Sequence, residues 1–400
     1  MIDIQLILLA IGSLLLAGVL LSKLSSYIGV PTLIVFLLLG LFFNGNTLFT
    51  PSVDNYAYIQ YISIFALIII MFSGGLDTNT KKMKPIASRG AVLATVGVLI
   101  TAIATGLLIH YLLGIDIVLS LLMGSIISST DAAAVFSIFR SGKIKLKKNL
   151  AETLELESGA NDPMAYVLTI SFLELLTHPT TSIEGIIFLF LKSLILGAVF
   201  GVISGKLSVK LFENVNLDVK GLYPVLLVAL AVLTFSISEI VGANGFLAVY
   251  IAGIMIGNAK MIKDAKLSNE TNTTFFEGLA WLMQVIMFLV LGLFIFPNQL
   301  LETAGISIAI AIALMFISRP IAVFTSLIPF KVSLKEKVFL SWTGIKGAVP
   351  IVFATYPLVA GIPEAYTIFN VVFFITIISV ILQGGTIKFV ARKLDLLSTC

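Results

Sequence analysis

The chain has 400 residues, of which 58% are hydrophobic and only 12% are charged, and its mean hydropathy is +1.10. Soluble domains carry charge at about a quarter of their positions, so this composition excludes a water-soluble globule and predicts a membrane protein. The net charge of +4 is too small to indicate nucleic-acid binding, and the single cysteine, Cys400, excludes an intramolecular disulfide. The first ten residues contain no Lys or Arg, unlike a cleaved signal peptide, and they begin the first predicted helix.

Apolar runs separated by short polar clusters predict thirteen transmembrane helices and almost no soluble domain. A helix that spans a bilayer needs about 20 apolar residues, and the runs do not alternate as membrane β-strands do. The predicted helices cover residues 4–22, 28–43, 57–76, 86–113, 115–140, 149–177, 183–212, 219–240, 243–258, 275–296, 299–330, 335–360 and 364–391.

The positions of the basic residues predict the orientation in the membrane. All but three of the 25 Lys and Arg residues lie at or just beyond the C-terminal ends of the odd-numbered predicted helices. The other connections contain neither residue, and they are 44–56, around 114, 178–184, around 241, 297–302 and 361–364. The positive-inside rule then predicts an external N-terminus, an internal C-terminus and an odd number of crossings of the cell membrane.

Two predicted helices contain segments that do not suit a continuous helix. The fifth contains Ser128–Asp131 in its middle, and the twelfth contains Gly344–Pro350. Because the two are offset by seven helices, an odd number that reverses direction, the sequence predicts two inverted six-helix repeats, helices 1–6 and 8–13, with helix 7 as a linker. Broken helices at matching positions indicate a transport site near the middle of the bilayer.

Carboxylates within the membrane indicate ion chemistry, because each charge there costs a few kcal/mol. Asp131 lies beside hydroxyl groups at the first break, and Ser158 and Asp162 share one face of the sixth predicted helix. Such hard oxygen ligands suit a small monovalent cation. The alternative interpretation is that Ser128, Ser129 and Asn161 only join helices by hydrogen bonds.

Three basic residues fall within predicted helices, namely Lys192, Arg319 and Lys346. Arg319 is the predicted partner of Glu157 in a mainly structural ion pair. Lys346 is predicted to neutralise the C-terminal carbonyls of a half-helix at the break. Lys192 is interpreted as a snorkelling lysine of the linker helix, and Glu239 as a solvated residue at an outer helix end.

Six motifs resemble those of the NhaP-like monovalent cation–proton antiporters, over essentially the whole chain. Within these motifs, the sequence Glu-Ser-Gly that precedes Asn-Asp-Pro-Met is most similar to the corresponding sequence of the potassium–proton branch. The motifs are Phe72–Asp77, Ser129–Phe136, Leu156–Met164, Gly245–Tyr250, Ser318–Pro320 and Gly344–Pro350.

The resemblance implies an all-α, thirteen-helix fold of the NhaA type without a cofactor. It implies a homodimer formed by residues 1–76 and 219–296, a moving core of residues 86–177 and 299–393, and a linker helix at 183–212. It further implies that Asp162 binds cation and proton in turn, surrounded by Thr130, Ser158 and Asp131, with Asn161, Glu157, Arg319 and Lys346 in support.

The sequence departs from the family pattern in two ways. Lys346 occupies the position in the twelfth helix where relatives commonly have Arg, so a bidentate role is in question. Potassium-branch relatives often carry a soluble regulatory domain after the last helix, whereas this chain stops at Cys400. Either that control is absent or the chain is a shortened form.

Other functions remain open from the residues alone. An antiporter of the same fold could select Na⁺ or Li⁺ instead of K⁺. Asp131 and Asp162 could form the dyad of an intramembrane aspartyl protease, although its usual motifs are missing. Lys346 and Arg319 could serve a channel or an organic anion transporter. No phosphate loop, Cys/His cluster or nucleophile motif is present, so we expect a transporter of monovalent cations and protons rather than an enzyme.

Overall fold

The computed structural model describes most of the chain. The described residues are 5, 9, 12–13, 15–20, 32–43, 56–131, 135, 139, 144–178, 180, 182–215, 217–219, 221–259, 269–293 and 297–398. Within these ranges the chain is helical and contains no β-strand beyond the isolated bridge between Leu146 and Leu397. The predicted all-α class is therefore confirmed for the described residues.

The helices are labelled in chain order. Several include a short 3₁₀- or π-helical turn within their bounds. Their bounds are α1 Thr32–Phe43, α2 Tyr56–Asp77, α3 Thr80–Leu113, α4 Ile117–Ile126, α5 Leu150–Thr177, α6 Ile183–Asn214, α7 Leu222–Ile240, α8 Gly245–Gly257, α9 Asn269–Leu293, α10 Pro297–Ala313 continued by Leu314–Ser318 and Arg319–Ser326, α11 Leu334–Trp342, α12 Ala348–Val359 and α13 Ala365–Lys393.

The helix bounds follow the hydropathy pattern closely. Seven described helices are long and apolar enough to cross a membrane, and α4, α8 and α12 are shorter apolar helices. Residues 5, 9, 12–13 and 15–20 of the first predicted helix are helical, and the rest of it lies outside the described residues. Beyond Asp131, only residues 135 and 139 of the fifth predicted helix are described, and both are helical. The count of thirteen crossings and the orientation stay predictions.

The helices pack in two groups that meet at α5. In the first group, α8 packs against α2, α6 and α7, while α9 packs against α1 and α2. In the second, α3, α4 and α5 pack together, and α10 and α13 pack against each other. The groups approach closely where the ring of Tyr250 in α8 packs against Gly159 in α5. A side chain larger than hydrogen at position 159 would collide with that ring. The assignment of dimer and core roles to these groups stays a prediction.

Three helices of the second group contain a π-helical turn. These turns are Leu93–Gly97 in α3, Leu314–Ser318 in α10 and Val380–Gly384 in α13. A π-helical turn interrupts the regular hydrogen bonds of an α-helix, and such turns occur frequently at functional sites. The second group therefore contains most of the local irregularity of the described chain.

Candidate cation site

The site forms where two unwound segments of the chain cross. The first segment, residues 127–131, follows the end of α4 at Ile126. The second, residues 343–347, separates α11 from α12. The two segments join through the backbone, since Asp131 N donates to Ile345 O at 2.8 Å. Both breaks lie where the sequence predicts them.

The side chain of Lys346 binds the first segment directly. Its Nζ donates to the carbonyl oxygens of Ser128 at 3.1 Å and Ser129 at 2.8 Å, and the residue is 1% exposed. These carbonyls follow the C-terminus of α4, where a helix presents partial negative charge. Lys346 therefore contacts backbone carbonyls, as the sequence predicts, but these belong to the first unwound segment and not to the break in its own helix.

The carboxylate of Asp131 has the complementary position at the second segment. It lies against Gly347, the residue before the first turn of α12, and any larger side chain at 347 would collide with it. A helix presents partial positive charge at its N-terminus, which favours a nearby carboxylate. Each half-helix end at the crossing is therefore accompanied by a side chain of opposite charge.

The second carboxylate, Asp162 of α5, binds a hydroxyl group of the first unwound segment. Asp162 is buried, and Ser129 Oγ donates a hydrogen bond to its Oδ1. Nearby, the hydroxyl oxygens of Thr130 and Ser158 are 3.0 Å apart, and Asn161 Nδ2 donates to Thr130 Oγ1 at 2.5 Å. The structure thus links the first break to the Asn-Asp pair of α5 through a cluster of oxygen atoms.

The two buried carboxylates of α5 differ in their partners. Arg319 Nη2 donates to Glu157 Oε1 in a buried ion pair, which confirms the pairing that the sequence predicts. Among the described residues, no basic side chain forms an ion pair with Asp162. Asp162 therefore has a neutral hydrogen-bond partner in Ser129 and no ion-pair partner among the described residues.

The sequence interpretation missed several contacts between helices. It assigned Ser129 no particular partner, and the structure gives it Asp162. It predicted a solvated Glu239, which is wrong, because the carboxylate is half-buried and accepts hydrogen bonds from Tyr166 Oη at 3.1 Å and Gly245 N at 2.8 Å. It also overlooked Gln383, although a buried amide in an apolar helix is a signal that sequence offers.

Comparisons with known proteins agree with this geometry. Residues 11–393 match the family described as "Sodium/hydrogen exchanger, transmembrane". The chain is 41% identical to the K(+)/H(+) antiporter NhaP of Alkalimonas amylolytica, across 98% of this chain and 67% of that protein. It is 37% identical to the K(+)/H(+) antiporter NhaP2 of Shewanella oneidensis, across 96% of this chain and 66% of that protein. The chain thus spans about two thirds of the length of these relatives.

A solved structure is similar over nearly the full chain. The sodium proton antiporter MjNhaP1 from Methanocaldococcus jannaschii superposes with a TM-score of 0.80 and 27% sequence identity. The match covers 94% of this chain and 99% of that one. Together with the long apolar helices, these matches identify a multi-pass membrane protein. The chain belongs to the sodium/hydrogen exchanger family.

Proposed function

We propose that the protein exchanges a monovalent cation, with K⁺ preferred, for protons across the cell membrane. Cation and proton compete for Asp162, and the helices around the crossing carry the loaded site from one face of the membrane to the other. The relatives named above are transporters, which favours transport over proteolysis by the two aspartates.

The observation that carries this proposal is the buried carboxylate of Asp162, which has a hydroxyl partner in Ser129 and no ion pair among the described residues. An ionised carboxylate is costly inside a membrane unless a proton or a cation compensates it. The loaded site therefore crosses readily, whereas the empty site crosses poorly. That difference couples the two fluxes and prevents a leak.

The oxygen atoms around Asp162 form the proposed ligand set for the cation. Thr130 and Ser158 contribute hydroxyl oxygens, and Asp131 adds a second carboxylate at the crossing. A hydroxyl group can donate or accept, so Ser129 can turn its lone pairs toward a bound cation after donating to the ionised, empty site. Hard cations of low charge prefer such oxygen ligands.

The exchange is proposed to be electroneutral. Asn161 is neutral, so the Asn-Asp pair offers one exchangeable charge. Lys346 keeps its proton in this proposal, because two carbonyl oxygens at the end of α4 accept hydrogen bonds from its ammonium group. One proton then leaves for each cation that enters.

The preference for K⁺ rests on the curated relatives, two of which are named K(+)/H(+) antiporters. Exchange of Na⁺ or Li⁺ is the second candidate, since the similar solved structure is a sodium proton antiporter. Oxygen ligands accept all three ions, and small differences in ligand spacing decide among them.

The fold also supports the proposed inverted repeats. The π-helical turns of α3 and α10, like the unwound segments at 127–131 and 343–347, recur after roughly 220 residues. We assign the helices before α3 and α7–α9 to the scaffold of a homodimer, with the N-terminus outside and the C-terminus inside. In this assignment α3–α5 and α10–α13 form the moving core, and α6 is the linker.

A transport assay with purified protein tests the proposed function. Proteoliposomes with an imposed pH gradient receive KCl, NaCl, LiCl or choline chloride, and a fluorescent dye reports dissipation of the gradient. We expect K⁺ to dissipate the gradient at the lowest concentration and choline to have no effect. Equal responses to all four salts would indicate a leak, and no response to K⁺, Na⁺ or Li⁺ would refute antiport.

A further inference from the structure

Helix α13 contains a buried polar pair outside the proposed set of cation ligands. Ser379 is 0% exposed and Gln383 is 1% exposed, although both lie in an apolar helix that is long enough to span the membrane. Ser379 immediately precedes the π-helical turn Val380–Gly384, and Gln383 lies within it. Buried polar side chains in such a helix are costly and need a structural or functional reason.

These two side chains bind the backbone of the unwound segment between α11 and α12. Lys346 N donates to Ser379 Oγ at 2.9 Å, and Ser379 Oγ in turn donates to Gln383 Oε1. Gln383 Nε2 donates to the carbonyl oxygen of Trp342, the last residue of α11, at 2.9 Å. The pair thus contacts both ends of the segment from one helix.

The contacts satisfy polar groups that the helix break leaves without regular partners. The last carbonyl groups of α11 accept no hydrogen bond from within that helix, and the backbone around Lys346 is not helical. A buried backbone group without a hydrogen bond is unfavourable, so an external partner is required. The side chains of α13 meet this requirement at two points and thereby fix where the backbone of Lys346 lies.

The position of that backbone determines the reach of the Lys346 side chain. Its Nζ contacts two carbonyls of the other unwound segment, and one of them belongs to Ser129, whose hydroxyl binds Asp162. Hydrogen bonds at the two ends of Lys346 and at Ser129 therefore connect α13 to the carboxylate through these two residues. Movement of Lys346 would change both the field at Asp162 and the orientation of Ser129.

We infer that Ser379 and Gln383 are positioning residues for the cation site, which they tune by holding Lys346 against the first unwound segment. This inference rests on the proposed function of Asp162. The pair does not contact the cation. It sets the affinity of the site through Lys346, and its loss lowers cation affinity more than it slows the movement of the loaded core.

The test compares hydroxyl deletions at two buried positions on α13. Ser379→Ala removes the oxygen that Lys346 N requires. Thr376→Val is the matched control, because Thr376 is equally buried but its hydroxyl bonds only to Val372 O within the same helix. Initial rates of K⁺-driven proton release in proteoliposomes, measured against K⁺ concentration at fixed pH, give KM and kcat for each variant.

We expect Ser379→Ala to raise the KM for K⁺ by about five- to tenfold while kcat changes by less than about twofold. Thr376→Val keeps the wild-type KM, and Ser379→Thr, which restores the hydroxyl, recovers most of the affinity. Gln383→Met, which retains the approximate volume but loses the amide, raises the KM in the same direction.

The outcomes separate this inference from the proposed function. If wild-type protein shows no cation-driven proton release, the function itself is wrong. If the wild type exchanges ions and both Ser379→Ala and Gln383→Met keep its KM, the positioning role is wrong. A fall in kcat alone, an equal effect of Thr376→Val, or loss of folded protein in both variants would assign the pair to the fold and would likewise overturn the inference.

Discussion

Glu157 and Asp162 are two buried carboxylates on one helix, and their partners differ in charge. Glu157 has a guanidinium partner in Arg319, whereas Asp162 has a hydroxyl partner in Ser129. Five residues turn the direction of a side chain by about 140° around an α-helix, so the two point into different parts of the protein. The charge of the partner therefore indicates the role of each carboxylate better than its residue type does.

The difference separates a structural role from a transport role. The guanidinium group of Arg319 compensates the carboxylate of Glu157, so no charge is left there for another cation to compensate. The Ser129 hydroxyl binds Asp162 without neutralising it, so a proton or a metal ion can do so in turn. We use the same chemical change at both positions, a carboxylate replaced by its amide, to test this contrast.

The largest expected effect is the loss of exchange in Asp162→Asn. The amide keeps the shape and hydrogen bonding of the side chain but neither titrates nor carries charge. We expect no K⁺- or Na⁺-driven proton release in proteoliposomes, together with a melting temperature in detergent close to that of the wild type. Proton release at the wild-type rate would remove Asp162 from the mechanism.

The second expected effect is a loss of stability in Glu157→Gln or Arg319→Ala. Removing one member of a buried ion pair leaves the other charge unpaired, at a cost of about 3–5 kcal/mol. Thermal unfolding in detergent measures the change, and replacing both residues by apolar ones of similar volume should recover part of it. If both single variants were as stable as the wild type, the ion pair would have no structural role.

Together, these two variants separate folding from transport. We expect Asp162→Asn to fold without transporting, and the folded fraction of Glu157→Gln to bind cations with near-normal affinity. A stable but inactive Glu157→Gln variant would contradict this assignment of roles, because Glu157 would then act in transport. The same assays and the same detergent serve both variants, so each is the control for the other.

The sequence predicts those features of the site that depend on position along one helix. The hydropathy pattern gives α5 within one residue at its start, and the polar runs locate both helix breaks. The pairing of Glu157 with Arg319 is predictable because few charges lie in the membrane and each needs a partner.

Contacts between distant helices are much harder to predict from one sequence. Lys346 and Ser379 are 33 residues apart, and Tyr166 and Glu239 are 73 residues apart. No periodicity relates such positions, and which faces meet depends on how all the helices pack. Glu239 illustrates the error, because its place near a helix end predicts solvation, whereas α5 and the start of α8 supply hydrogen-bond donors to it.

A third, smaller effect is expected when one proposed neutral ligand is removed. Ser158→Ala deletes a hydroxyl group beside Asp162 but leaves the carboxylate, so we expect the KM for K⁺ to rise about tenfold or less with exchange retained. Ser125→Ala is the matched control, because Ser125 is buried and its hydroxyl bonds only to Leu121 O within α4. An unchanged KM in Ser158→Ala would exclude Ser158 from the ligand set.

The smallest expected effect concerns charge movement and Lys346. If Asp162 alone titrates during the cycle, each turnover moves no net charge, and a clamped membrane potential should not alter the exchange rate in sealed vesicles. A net charge per cycle would experience about 2.3 kcal/mol per 100 mV. Buried lysine can release its proton, whereas arginine stays charged, so Lys346→Arg tests the alternative directly.

The carbonyl contacts of Lys346 favour a fixed charge, and we expect no steady current on a solid-supported membrane for either protein after a K⁺ concentration jump. A steady current in the wild type that disappears in Lys346→Arg would instead identify the lysine as a second exchanging group, and Asp162→Asn provides the zero-transport baseline for both recordings.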